Sequence, residues 1–343
     1  QAARSLEVLP LLTREDTAAL PAFYTTAREQ LSKAIKSNNP EWGGVKVITT
    51  MDTDIQNRLE CALYDMYRTA AGKAECERLL PLRTSLPVVS LPDDLQVNFV
   101  LLDPSNGQVM AMLGDYMPAT GQQNYLHPHP GGSLVTPFIY LNGMLQGMTP
   151  ATLVWDTPTG LDESTLKQYS SMTEFHGPMS VRTALSGDHL APAARLLAGF
   201  DQSSVVALMS SFGLQLYASE GMPYTSGIAD SLAFAQAYGV FANDGIKTGF
   251  ANPGQAGILA PTAILRVLDD SQATVLDREK PQEQVVINSA LTFLVNDMLT
   301  ADNSYAPNIN GSTKVGTSID GANYWRVVYA PNYVFVLWLG YSD

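Results

Sequence analysis

The chain has 343 residues, somewhat more than twice the roughly 150-residue prior for one domain, which allows one large domain or two modest ones with a sizeable core. Apolar residues supply 45% of it and charged residues only 15%, below the roughly 25% charged of an average soluble domain, which excludes a disordered segment and a coiled coil. The 33 acidic and 20 basic residues leave a net charge of −13, and the basic ones are scattered, so nucleic acid and anionic membrane surfaces are excluded as partners.

Residues 1 to 44 form a helical, partly polar lead segment: Thr13 to Asp16 can cap a short helix, and Ala22 to Ile35 has apolar spacing near 3.6. The chain opens at Gln1 with no Met, basic n-region or apolar h-region, and it reads as a processed or excised piece with any membrane anchor upstream. Val45 to Thr50 alternates and is β-branched, predicting a strand, and Asp52 is placed to N-cap a helix running to about Arg78. Cys61 and Cys76 have no other soft ligand beside them and form neither a zinc ribbon nor a disulfide scaffold, so they carry no compartment signal. After a loop from Pro81 to Asp94, Val97 to Leu102 and Gln108 to Leu113 flank Asp103-Pro-Ser-Asn-Gly107 as a hairpin of two central strands. Residues 114 to 132, with His127 and His129, read as an irregular loop, and Ser133 to Gly147 as an apolar helix. Helices are predicted at Ser180 to Ala198, Ser203 to Phe212, Ile228 to Asn243 and Ser289 to Leu299. Strands are predicted at Ala263 to Leu268, Tyr324 to Tyr329 and Val334 to Leu339. Strands towards both ends with helices between them give an α/β or α+β sheet closed by its termini.

An ordered series of short pieces runs through these elements. Val45 to Asp52 with Gln56, Leu101 to Gly107 with Ala111-Met-Leu-Gly114, and Pro130-Gly-Gly-Ser133 with Thr136-Pro-Phe138 come first. Gln236-Ala-Tyr238 with Phe241 to Gly245, Lys314-Val-Gly-Thr317, and Trp325 with Trp338-Leu-Gly-Tyr341 complete it. In this order and spacing they resemble the transpeptidase domain of class A penicillin-binding proteins. The resemblance implies the penicillin-binding protein or β-lactamase-like transpeptidase fold, a central antiparallel sheet flanked by helices, over residues 45 to 343. It makes residues 1 to 44 the linker from a glycosyltransferase domain that this chain does not contain.

Such domains are acyl transferases built on the signatures S-x-x-K, S-x-N and K-T-G. A serine at a helix start is a weak nucleophile until a base takes its proton, and a lysine three residues on shares its helical face. Ser133 holds the nucleophile position, but Thr136 replaces the base lysine. Aligned on Pro192, the serine of S-x-N becomes Asp188 and its asparagine becomes Leu190, which can neither bind a peptide carbonyl nor orient a lysine. The third signature survives in part: Lys314 supplies charge, Gly316 lets a ligand approach the strand, and Thr317 keeps a hydroxyl for a substrate carboxylate. Loss of a positioned base typically costs about 10²- to 10⁴-fold in rate, whereas an oxyanion hole of backbone N–H groups, implied at Ser133 and Thr317, does not depend on those side chains. The expectation is an impaired acyl transferase that still binds peptidoglycan stem peptides or, weakly, β-lactams, or that scaffolds other cell-wall synthesis proteins, without a cofactor or metal. Its expected place is the bacterial periplasm or the extracytoplasmic face of the cytoplasmic membrane.

Plainer roles stand beside these. Ser133 alone is a helix N-cap, Thr136 a filler, and Lys314 a solvated lysine; the ordered series is what raises them. His127 and His129 read as loop histidines, since the prolines after them upset the strand geometry that aligns alternate residues on a metal. A Ser-His-Asp triad through His189 is disfavoured because Asp188 and His189 are adjacent. The methionines between 108 and 148, with Tyr324, Trp325 and Trp338, are expected in the core. Two rivals remain: an active serine D,D-transpeptidase using another base, Lys314 or a loop histidine, and a metal-dependent hydrolase resting on His127 and His129.

Overall fold

The computed structural model describes residues 22–34, 45–67, 92–158, 174–215, 227–252, 255–300, 311–318 and 320–341. The predicted hairpin forms from β2 (Gln96–Asp103) and β3 (Gln108–Met117). Asp103 ties its turn by accepting from the Ser105 amide at 2.9 Å and Asn106 Nδ2 at 2.8 Å. The late strands β14 (Ser312–Thr317), β15 (Asn323–Ala330) and β16 (Tyr333–Gly340) form two further antiparallel pairs. β16 then pairs with β2, and the two-residue strand β4 (Gln122–Gln123) ends a six-stranded antiparallel sheet of order β14-β15-β16-β2-β3-β4. The sheet is closed by early and late strands, as the sequence pattern predicts.

Alternation along these strands sends one set of side chains to each face. Val100, Leu102, Met112, Trp325, Val327 and Val336 enter the main core, with the helix α7 (Ser231–Ala242) buried among them and N-capped by Asp230. Val97, Phe99, Leu113 and Tyr116 meet Ile55, Leu59 and Leu63 of the helix α2 (Thr53–Tyr67) in a second, smaller core. Asp52 caps α2 through the amides of Asp54 and Ile55, and Gln56 grips the Met112 backbone at both its N–H and its C=O. The helix α1 (Ala22–Ala34) buries Ala22, Phe23, Ala27 and Leu31 in the main core.

Several details depart from the pattern. β1 (Lys46–Thr49) leaves the central sheet to pair with β11 (Ile264–Leu268), which carries β12 (Thr274–Asp277) on its other edge. The strand β3 runs to Met117, into the region read as loop. The single helix expected over Ser180 to Ala198 is two, α4 (Val181–Ser186) and α5 (Leu190–Gly199), because Gly187 and Asp188 turn the chain and Asp188 sits at φ 54°. Ile228 and Ala229 pair with His129–Pro130 before α7 starts. Tyr324 lies on the surface, whereas Trp325 and Trp338 are fully buried. Cys61, buried on α2, is disulfide-bonded, which the spacing of the cysteines did not suggest. The Thr13–Asp16 cap, the end of α2 towards Arg78 and the Pro81–Leu91 loop lie outside the described residues. No helix among the described residues is long and apolar enough to cross a membrane.

Candidate active site

Ser133 sits in a 3₁₀ turn, Gly132–Val135, that runs directly into α3 (Thr136–Leu145), whose residues Thr136 to Met144 are all buried. The turn is held from three sides. Tyr238 Oη donates to the Leu134 carbonyl at 2.8 Å, Trp325 Nε1 to the Pro130 carbonyl at 2.7 Å, and the Gly131 amide to the Gly227 carbonyl. Its approach to β14 is close enough to need two glycines. A Cβ on Gly132, at φ 53°, would lie 2.1 Å from the Thr317 carbonyl oxygen, and one on Gly316 would lie 2.6 Å from Leu134 Cγ. This contact points the Thr317 amide at Ser133 Oγ, 3.2 Å away.

The structure brings Ser133, Asp188 and Lys314 together from three separate elements. Ser133 Oγ donates to Asp188 Oδ2 at 2.6 Å, and Lys314 Nζ donates to Asp188 Oδ1 and, at 2.8 Å, to the Val315 carbonyl. Lys314 is buried with its side chain 3% exposed, so its charge is committed to Asp188 rather than displayed to a ligand. Thr136 turns its hydroxyl back onto the Ser133 carbonyl at 2.8 Å and offers no base. Leu190, buried at the first turn of α5, contributes no polar group. Gly316 and Thr317 line β14 beside the serine. One residue in this region escaped the sequence reading. Tyr140, one helical turn past Thr136, has a buried hydroxyl without a hydrogen-bond partner among the described residues, and burial together with Asp188 and Asp156 pushes its ionisation well up.

The four histidines share two buried aspartates. His127 Nδ1 and His129 Nε2 both meet Asp115 Oδ2 at 2.9 Å, while Asn98 Nδ2 donates to Asp115 Oδ1 and His129 stacks on Trp338. His176 Nδ1 and His189 Nδ1 both meet Asp156 Oδ2 at 3.1 Å. His189 therefore turns away from Asp188 and Ser133, and no Ser-His-Asp relay forms. Its partner His176 lies 20 positions from Asp156, a separation at which no local motif marks it.

No family model matches the chain. It is 23% identical over 363 residues to penicillin-binding protein 2D of Bacillus subtilis, a match covering 98% of this chain and 47% of that protein. It is 27% identical over 293 residues to penicillin-binding protein 1A of Vibrio cholerae, covering 71% of this chain and 34% of that protein. The chain thus spans less than half the length of these relatives. Among solved structures, the PonA1 protein of Mycobacterium tuberculosis in complex with penicillin V superposes with a TM-score of 0.70 at 17% identity, over 93% of this chain and 84% of the other. At that identity the likeness carries the fold.

Proposed function

We propose that this chain, similar along its length to class A penicillin-binding proteins and sharing the transpeptidase fold, is a catalytically impaired member of that group which binds peptidoglycan stem peptides, or scaffolds cell-wall synthesis proteins, outside the cytoplasm. In this reading residues 45 to 343 are the domain and residues 1 to 44 a linker whose helix α1 docks on it. The observation that carries the proposal is the engagement of Ser133. Its hydroxyl donates to a carboxylate whose other oxygen is held by Lys314, and Thr136 stands where an amine base is needed. For Asp188 to take the serine proton it must give up its charge and with it the Lys314 pair, so attack by Ser133 is opposed. The Thr317 N–H still points at the serine oxygen, and the β14 edge still offers Thr317 and Gly316 to an extended peptide, so binding survives better than acylation. The disulfide at Cys61 fits an oxidising compartment such as the periplasm.

The 2.6 Å bond to Asp188 favours one alternative, an active acyl transferase in which Asp188 is the base. A labelled penicillin and intact-mass measurement separate the two. We expect little or no adduct after long incubation, and Thr136→Lys with Leu190→Asn to acylate faster than Thr136→Lys alone, because the new amine then has a polar partner. A stoichiometric adduct on Ser133 within minutes, abolished by Asp188→Asn, refutes the impaired reading and establishes the alternative.

A further inference from the structure

We infer that Asp156, His176 and His189 form a site for one divalent cation of the zinc kind, which staples the turn carrying Asp188 to the hairpin of β6 (Leu153–Asp156) and β7 (Gly177–Ser180). Among the described residues this is the one grouping of three histidine or acidic residues whose ligand atoms lie within 4.8 Å of one another. Two imidazole nitrogens and a carboxylate oxygen are a donor set zinc uses where a fourth position stays open. A tetrahedral centre with ordinary zinc bonds sets its ligand atoms about 3.3–3.5 Å apart. Each Nδ1 here is 3.1 Å from Asp156 Oδ2 and needs a small retreat, and since the set spans up to 4.8 Å the two imidazoles must also draw towards each other to admit the ion.

The surroundings suit a cation better than a bare hydrogen-bond cluster. Asp156 is 3% exposed, and the His176 amide, donating at 3.1 Å, and two imidazole nitrogens crowd its Oδ2. No lysine or arginine pairs with it among the described residues. The two imidazole rings meet edge to face with centroids 4.8 Å apart, so both converge on the carboxylate. Gly187 leaves the room for this. A Cβ there would lie 2.7 Å from His189 Nε2 and 2.8 Å from its Cδ2. The hydroxyl of Tyr140, unpartnered among the described residues, lies within electrostatic reach of both Asp156 and Asp188. The Asp115 cluster differs, since Asn98 occupies its second oxygen and Trp338 covers His129.

Binding at His189 would fix the residue that follows Asp188, and so the left-handed turn that presents Asp188 to Ser133 and Lys314. The test is calorimetric titration of the untagged, chelator-stripped chain with Zn²⁺ and with Mg²⁺, with Co²⁺ as a visible-absorption probe. We expect one equivalent of Zn²⁺, a four-coordinate Co²⁺ spectrum, no Mg²⁺ uptake, and slower hydrogen exchange at amides 187 to 190 when Zn²⁺ is bound. His176→Ala, at an exposed ring that folding does not require, should weaken Zn²⁺ by about tenfold or more, and His127→Ala should leave it unchanged. No Zn²⁺ uptake by the folded chain, equal affinity for Mg²⁺, full affinity in His176→Ala, or equal loss in His127→Ala each overturns the site. Unchanged exchange at 187 to 190 overturns the staple.

Discussion

Replacing Asp188 removes the partner of a buried ammonium and at the same time alters a left-handed backbone, and a short substitution series separates the two effects. Breaking one side of a buried pair typically costs about 3–5 kcal/mol. The Asp188 side chain is 27% exposed against 3% for Lys314, and Lys314 keeps its bond to the Val315 carbonyl. Solvent screening at the carboxylate brings the expected loss in Asp188→Asn to about 2 kcal/mol. Asp188→Ala suffers the same loss and keeps a Cβ at φ 54° without the short polar side chain that lets Asp or Asn sit there, for about 3 kcal/mol in all. Asp188→Gly recovers the backbone part and returns to about 2 kcal/mol or less. In a domain this large about 2–4 °C accompanies each kcal/mol, so Ala should fall about 6–12 °C below the parent and Gly visibly above Ala. Lys314→Met should be milder, because the carboxylate it leaves is partly in solvent, and the double variant with Asp188→Asn should cost less than the two singles together. Calorimetric melting and urea midpoints measure all five. An Asp188→Ala loss below about 0.5 kcal/mol, typical of an unengaged surface site, would refute the paired geometry, and Gly no better than Ala would refute the backbone argument.

Two further outcomes follow from the same structure. Gly132→Ala drives a Cβ into the Thr317 carbonyl at a positive φ, and should lower the urea midpoint by an amount equivalent to about 2–4 kcal/mol while reducing any ligand binding at β14; an unchanged midpoint would show that the turn and strand are not in contact. Burial pushes the phenols of Tyr140, Tyr238 and Tyr329 above their ordinary value of 10.0. The folded state then holds more protons than the unfolded one above that value, so stability is complete below pH 10 and falls as pH rises past it. Absorbance at 295 nm should show these three phenols ionising together with loss of far-ultraviolet circular dichroism, whereas ionisation before unfolding would mean that they are not enclosed.

The hairpin around Asp103 to Gly107 and the late strands were legible because each rests on local signals, alternation and turn residues, whereas the seating of Ser133 beside Lys314 and Thr317 was an expectation of the resemblance alone. The break at Gly187–Asp188 was overlooked, although Ser186 to His189 interrupts the apolar spacing and carries a glycine. The turn is selected by Ser133 and Lys314, which meet Asp188 from positions 55 and 126 residues away. Lys314 looked like a ligand-facing cation for the same reason, because its partner is set by the fold and not by its neighbours. His189 was noticed for its adjacency to Asp188, yet its bond runs to Asp156, and His176 carried no local mark at all. The course of β1 was hidden too, since its alternation predicts a strand but not that its partner is β11.

The strand β16 lies in the middle of the central sheet although it comes late in the sequence, with Val334 facing Leu102 across about 230 intervening residues. A nascent chain can close the β2–β3 hairpin early, but until β16 arrives one flank of β2 presents open backbone donors and acceptors, and the main core lacks Val334, Val336 and Trp338. The order of assembly is therefore imposed by topology: the hairpin waits, exposed to pairing with foreign strands, and the sheet zips from its centre once the tail is delivered. Loss of a few residues near Trp338 would disable the protein as thoroughly as loss of the serine turn.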